Sequence, residues 1–243
     1  MACAAMAVTM LLALAGGCGG DEEPSADADA TAAGTPAKAV KPDTPDTSKC
    51  KQVKAPKLEP ASYDAPAQTV RKGEELTAVV ETTCGTFEIE LDAKRSPTTV
   101  NSFVFLARQG FYEGLEFDEA APGTYLHAGN PPGKAVGPGY TVKGEVPEKL
   151  IYRHRVVAMA QPGVTAEGIS GSQLFIVLAK PWIDTNEIYP PLGKVSKGFD
   201  VLERINALGP PDIYPGPSNI GVVGTIGKLQ RPVLIERISI EKR

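Results

Sequence analysis

The segment Phe117-Asp118-Glu119-Ala120-Ala121-Pro122-Gly123-Thr124-Tyr125-Leu126-His127-Ala128-Gly129-Asn130 brings two carboxylates, a phenol and an imidazole close together in the chain. Asp118 and Glu119 are neighbours, and on an extended backbone they point to opposite sides, which makes them a poor acid/base pair. His127 and His154 are the only 2 imidazoles. With no His/Cys cluster beside either, the pattern does not describe a metal site. Other catalytic signatures are incomplete. Gly168-Ile169-Ser170-Gly171-Ser172 lacks the final glycine of a nucleophile elbow. The stretch 129–134 lacks the first Gly and the Ser or Thr of a phosphate loop, and Gly137-Pro138-Gly139 lacks the third Gly of a dinucleotide fingerprint. The 117–130 segment therefore reads either as a site for non-covalent chemistry or as an acidic surface loop.

The elements that would position it lie in one domain behind a long tail. The chain has 243 residues, 42% of them hydrophobic and 22% charged, with a net charge of −4. Its basic run Tyr152-Arg153-His154-Arg155 leads directly into apolar residues, so no phosphate-tracking stripe is present and nucleic acid is not an expected partner. Between Asp21 and Thr47 there is no aromatic residue and hardly a large aliphatic one. Such a segment buries too little apolar surface to offset the entropy of ordering it, and it reads as a spacer. Pro-rich, polar composition continues to Glu75, and the folded domain is expected to run from Leu76 to Arg243.

Within that domain, Thr86 to Leu91 alternates as a half-buried strand does, with Cys84-Gly85 as the turn from an apolar run at Ala78 to Val80. Ser96-Pro97 signals a helix start, Val100, Phe103, Val104 and Ala107 follow at helical spacing, and Gly110 is a stop. Short apolar runs separated by Gly and Pro then predict strands up to Val195, among them Leu174 to Leu178. Val201, Ile205 and Leu208 mark a second short helix, and Pro232 to Ile240 a last strand. Many short strands with two lone helices predict a mainly β fold, a closed antiparallel barrel, because closure removes exposed strand edges.

Residues 1–20 form an uncharged apolar run that closes on small residues, too short for the roughly 20 apolar residues of a spanning helix and suited to an export signal. Leu14-Ala15-Gly16-Gly17-Cys18 resembles the lipobox of bacterial lipoproteins. That resemblance implies a signal over 1–17, lipid on Cys18, a flexible linker to residue 75 and a domain held on the outer face of the cell membrane, secretion being the alternative. If Cys3 leaves with the signal and Cys18 carries lipid, Cys50 and Cys84 remain as an even pair in an oxidising compartment, and a disulfide between them is expected.

A set of ordered segments resembles the cyclophilin-type peptidyl-prolyl cis-trans isomerases. They are Ser96 to Phe103, Phe111 to Phe117, Gly137 to Tyr140, Ala158 to Ala160, Gly171 to Ile176, Trp182 to Asp184 and Leu192 to Val195. The resemblance spans the domain and implies an eight-stranded antiparallel barrel capped by two helices, with no cofactor, acting as a monomer on proline-containing peptides or unfolded exported proteins. Carried onto 117–130, it puts Glu119 at the position of the catalytic arginine, Thr124 at the aromatic of the proline pocket, Tyr125 at a methionine and His127 at a glutamine. On the other wall Gln173, Phe175 and Trp182 match the family, Ile183 stands at a leucine position and Tyr189 at a position that is often histidine. Arg155 stands where glycine is common. The resemblance implies catalytic positions at Glu119, His127 and Gln173 and peptide binding by Thr124, Tyr125, Phe175, Trp182, Ile183 and Tyr189. It leaves two readings open, an isomerase of reduced activity and a non-catalytic proline-peptide binder or scaffold.

Overall fold

The computed structural model describes residues 45–59, 61–132, 137–147, 152–161, 167–180, 182–183, 188–210 and 226–243. In chain order the elements are β1 (Leu76–Thr82), β2 (Gly85–Leu91), α1 (Pro97–Arg108), β3 (Glu119–Ala121), β4 (Tyr125–Ala128), β5 (Val142–Lys143), β6 (Tyr152–Arg153), β7 (Val156–Met159), β8 (Ile169–Ser170), β9 (Leu174–Val177), β10 (Trp182–Ile183), β11 (Pro191–Lys197), α2 (Phe199–Asn206) and β12 (Ile235–Lys242). Eight of these strands form one antiparallel sheet in the order β12-β1-β2-β11-β7-β9-β4-β3, and β10-β6 and β5-β8 pair separately. The sheet is strongly curled. Its two ends meet where the Gly114 and Phe117 amides donate to the Ile235 and Val233 carbonyls at 2.8 and 2.9 Å and Ile235 donates back to Leu115 at 2.9 Å. Ala120 of β3 is also bridged to Gly227, so the outer edges of both end strands are partnered near where they meet, as closure would have it. The expected fold, an eight-stranded antiparallel sheet with two helices, is the one observed.

The first hairpin forms as its sequence indicates. Thr82 pairs with Gly85, leaving Thr83-Cys84 as a two-residue turn, and Gly85 adopts φ +126°, open to glycine alone. Inside the curl, Leu76, Ala78, Val80, Phe87, Ile89 and Leu91 from the hairpin meet Val100, Phe103, Val104 and Leu106 from α1.

Helix α1 starts at Pro97 as expected, but its cap is different. Ser96 is fully buried and its hydroxyl has no partner among the described residues. The carboxylate of Glu145, from the loop after β5, takes over. It accepts from the amides of Thr98 at 2.9 Å and Thr99 at 3.4 Å. A carboxylate there also faces the positive end of the helix.

The stretch 45–75, expected as part of a flexible linker, lies along the domain wherever it is described. Cys50 is disulfide-bonded to Cys84 in the β1–β2 turn, and the Lys51 amide donates to Thr83 at 2.7 Å. Asn101, on the face of α1 turned from the barrel, accepts from the amides of Thr69 and Val70 at 2.7 and 3.0 Å and donates to Ala67 at 3.1 Å. Tyr63 stacks edge-on against Phe105 with centroids 5.2 Å apart. A polar, proline-rich strap can be ordered because Asn101 and Thr83 satisfy part of its backbone and the disulfide pins it at Cys50, not because it brings a core of its own.

Arg155, in the turn between β6 and β7, has φ +74°, a strained value for a residue with a side chain. Its backbone bridges two strands, donating to Val177 at 2.8 Å and accepting from Val195 at 2.9 Å. Its guanidinium lies 5.0 Å from the centre of the Phe199 ring. The left-handed conformation costs about 1–2 kcal/mol and such a cation–π contact returns about 0.5–1 kcal/mol, so the stacking offsets part of the strain.

The cap makes a prediction with a sign. Partial burial pushes the Glu145 carboxyl up, but hydrogen bonds from Thr98, Thr99 and its own amide outweigh it and hold it below its usual value of 4.5. A lowered carboxyl stabilises the fold above its unfolded titration and loses that contribution as pH falls through the folded value. Glu145→Ala should cost about 1 kcal/mol at pH 7, as lost caps do, and the gap to the parent protein should narrow at an acid pH that protonates the carboxylate. Urea denaturation at the two pH values measures it, and an equal gap at both would assign the loss to packing instead.

Candidate functional site

Strands β3, β4, β9 and β7 carry two sets of side chains. Ala120, Leu126, Ala128, Leu174, Ile176, Val157 and Met159 point into the main core. The alternate residues Glu119, Tyr125, His127, Phe175, Val177 and Ala158 share the outer face, because Glu119 is paired with His127, His127 with Phe175 and Phe175 with Ala158. On this face a second apolar cluster forms from Tyr152, Ala158, Ala160, Phe175 and Val177, with Tyr125 and Tyr189 packed against it. Ring centroids lie 5.1 Å apart for Phe175–Tyr189, 5.8 Å for Tyr152–Phe175 and 6.3 Å for Tyr125–Phe175. Tyr152 fixes the far wall. Its hydroxyl donates to the Tyr189 carbonyl and accepts from the Tyr189 amide, each at 2.9 Å, so one side chain replaces a strand partner for that loop.

Beside the apolar patch runs a line of polar contacts. The Tyr125 hydroxyl donates to Glu119 Oε1 at 2.6 Å. His127 Nδ1 lies 2.8 Å from Asp118 Oδ1, Asn130 donates to Asp118 Oδ2 at 3.1 Å, and Gln173 Nε2 donates to Asn130 Oδ1 at 3.2 Å. Gly129 makes the corner that brings Asn130 into this line. It has φ +84°, and a Cβ there would lie 2.5 Å from the Ser172 carbonyl oxygen, so no other residue fits without moving the backbone. Burial raises the Asp118 carboxyl, yet the hydrogen bond and charge of His127, helped by Asn130, hold it below the usual range. Burial first, and then the bond to Glu119, push the Tyr125 hydroxyl far above the usual phenol range. Behind Asp118 and Glu119 opens a cleft of about 720 Å³ walled on one side by Pro56 and Leu58 of the strap.

Of the residues singled out in the sequence, Glu119, Tyr125, His127, Phe175 and Tyr189 share this face, and Gln173 reaches it through Asn130. Thr124 is buried at the β3–β4 turn, and its carbonyl accepts from Leu178 and Ala179 at 2.8 and 3.0 Å. It therefore ties the β9 end to the turn and offers no ring surface. Trp182 and Ile183 form β10 opposite Arg153 and Tyr152, and the roles expected of their side chains lie outside the described residues. Cys18 also lies outside them. The hydrogen-bond partner of His127 is Asp118, although Glu119 is its direct cross-strand neighbour, while Glu119 Oε1 accepts from the Tyr125 hydroxyl. The structural parts of Tyr152 and Asp118 were not visible in sequence. Among the described residues no group of three or more His, Cys, Asp or Glu side chains could hold a metal ion.

The outer face of the curled sheet thus carries an aromatic cluster edged by hydrogen-bonding side chains. The profile described as cyclophilin type peptidyl-prolyl cis-trans isomerase/CLD matches residues 77–223. Peptidyl-prolyl cis-trans isomerase-like 1 of Neurospora crassa is 35% identical over 133 residues, 52% of this chain and 78% of that protein. Peptidyl-prolyl cis-trans isomerase B of Bacillus subtilis is 36% identical over 122 residues, 49% of this chain and 82% of that protein. Among solved structures, a cyclophilin type peptidyl-prolyl cis-trans isomerase of Cryptosporidium parvum aligns with a TM-score of 0.54 at 22% identity, covering 70% of this chain and 99% of that one, a likeness of fold. The chain belongs to the cyclophilin-type peptidyl-prolyl cis-trans isomerase family.

The Tyr152 contact is open to test. Tyr152→Phe removes one hydroxyl and leaves two main-chain groups of Tyr189 without their partner. It should lower the unfolding free energy by about 1–2 kcal/mol. Chemical denaturation checks this, and an unchanged midpoint at unchanged slope would mean that water replaces the hydroxyl at no cost.

Proposed function

We propose that this chain is an exported, lipid-anchored peptidyl-prolyl isomerase that acts on proline-containing segments of proteins outside the cytoplasm, with activity weakened at Glu119. Family membership supplies the reaction. The observation that carries the weakening is the Glu119 carboxylate, held by the Tyr125 hydroxyl at 2.6 Å on the groove face where the resemblance puts an arginine.

Rotation about an X-Pro bond must overcome a barrier of about 18–20 kcal/mol, because the amide loses its partial double-bond character on the way. A hydrogen-bond donor aimed at the prolyl nitrogen stabilises the lone pair that localises there, and only in the transition state, so it accelerates the reaction without merely tightening binding. An ionised carboxylate accepts and does not donate. Losing one such donor costs on the order of 3 kcal/mol, about a hundredfold in rate. Peptide binding should suffer less, since the half-buried rings of Tyr125 and Tyr189, backed by the buried Phe175, keep apolar surface for a proline ring.

The decisive comparison is the isomerisation rate of a proline peptide by NMR exchange in the full chain and in its Glu119→Arg variant. A slow parent protein and a variant faster by about tenfold or more support the weakened isomerase. A parent protein that binds peptide without catalysis is a binding module, and one already as fast as the variant shows that Glu119 is not the limiting substitution.

Export through a lipidated Cys18 rests on the 1–17 signal and the small residues before the cysteine. In a bacterial host fed labelled palmitate, the chain should take up label and sediment with membranes, while Cys18→Ser does neither. Unlabelled parent protein in the culture medium would instead make it a secreted protein.

A further inference from the structure

We propose that His127 is the catalytic donor to the peptide amide in this groove and that Asp118 is the residue that positions it. The inference rests on the isomerase reading above and adds a residue to it. His127 sits on β4 in direct register with Glu119 of β3 on one side and Phe175 of β9 on the other, between the polar line and the aromatic patch. Its side chain keeps 15% of its surface exposed. Nδ1 is taken by Asp118, whose second oxygen is taken by Asn130, which is held in turn by Gln173. A side chain fixed at one ring nitrogen through three further residues has its orientation set before a peptide arrives. Nε2 has no partner among the described residues and is not among the buried unpaired atoms.

The Tyr125 proton is engaged by Glu119, and Gln173 and Asn130 each give one amide N–H, to Asn130 and to Asp118 respectively. Their remaining N–H groups are neutral donors, whereas Nε2 of His127 is the ring nitrogen of this line without a partner among the described residues and the one that can carry a charged donor. The required state follows from imidazole chemistry. With Nδ1–H donating to Asp118, the neutral ring has a bare Nε2 that only accepts, and the imidazolium has a second N–H there. In the reaction no covalent bond forms or breaks. The Nε2 proton stays on the ring and donates to the prolyl nitrogen while its lone pair is localised, then the contact lapses as amide resonance returns.

The charged and titratable groups around the ring are Asp118 before β3, Glu119 on β3 and Tyr125 on its own strand; the facing β9 residue, Phe175, does not ionise. Asp118 is held below, and Tyr125 above, the ranges in which such groups usually change state. The N–H at Nε2 exists only while the ring is protonated, so this donor is lost as the ring gives up its proton.

The test measures kcat/KM for a proline peptide by NMR exchange, and peptide Kd by titration, on the full chain and on His127→Ala, His127→Gln and Asp118→Asn from pH 5.5 to 8. The ring of His127 is followed by NMR in the same samples. The expected result is a parent rate that falls with rising pH in step with loss of the ring proton. His127→Ala should lose about tenfold at pH 5.5, with Kd changed less than about threefold, and become flat with pH. His127→Gln, neutral and similar in length, should keep the fold and also be flat. Asp118→Asn should move the midpoint of the profile to lower pH, which a merely structural role would not do. A parent profile flat across the ring's titration, or a His127→Ala variant with the parent's rate, overturns the proposal while leaving the isomerase reading intact. A parent chain that binds no peptide overturns that reading and this inference with it.

Discussion

The register of β4 against β9 is the constraint on which both the core and the groove depend. With Leu126 opposite Ile176 and His127 opposite Phe175, one set of side chains fills the barrel and the other builds the outer face. A one-residue slip of β4 would flip that strand, putting an imidazole and a phenol into the core and leucine on the surface. The energetic penalty on that slip is what keeps Glu119, Tyr125, His127 and Phe175 in one place. Core packing and site geometry are thus the same constraint, seen from the two faces of one sheet.

The groove that results is poor in cationic donors and rich in acceptors. Glu119 and Asp118 sit side by side in the chain yet hold different partners, the Tyr125 phenol and the His127 ring. Each carboxylate removes a hydrogen-bonding atom from the surface offered to a ligand. What is left for recognition is mainly ring surface and the few polar atoms not already engaged. In the proposed reading, such a site would hold a proline by apolar contact first and orient it by a small number of hydrogen bonds.

Much of this could be read from the chain, and the limits have physical causes. The β1–β2 hairpin, both helices and the strand at 174–177 follow from local periodicity and turn residues, and they appear within a few residues of their expected bounds. The groove residues came from ordered motifs, because no periodicity tells an outer-face phenylalanine from a core one. Tyr152 was read as the start of a basic run, since its burial depends on the Tyr189 backbone 37 positions away. The strap at 45–75 looked like linker, although its disulfide was expected, because its other anchors, Asn101 and Thr83, belong to other parts of the sequence. Ser96 has the chemistry of a helix cap, and Glu145 does the work because a buried hydroxyl and a distant carboxylate cannot be ranked without the fold.

The disulfide between Cys50 and Cys84 also sets how the molecule bears mechanical load. It closes a covalent loop across a separation of 34 residues, and that loop contains the strap and the whole of β1. Tension applied to the chain before Cys50 passes through the sulfur atoms into the β1–β2 turn and along β2. The strap carries none of it and stays slack. Strand β1, paired on both sides with β2 and β12, lies inside the loop and outside that line of pull. A tether on that side of the molecule can be stretched without unzipping the strand at which the domain begins.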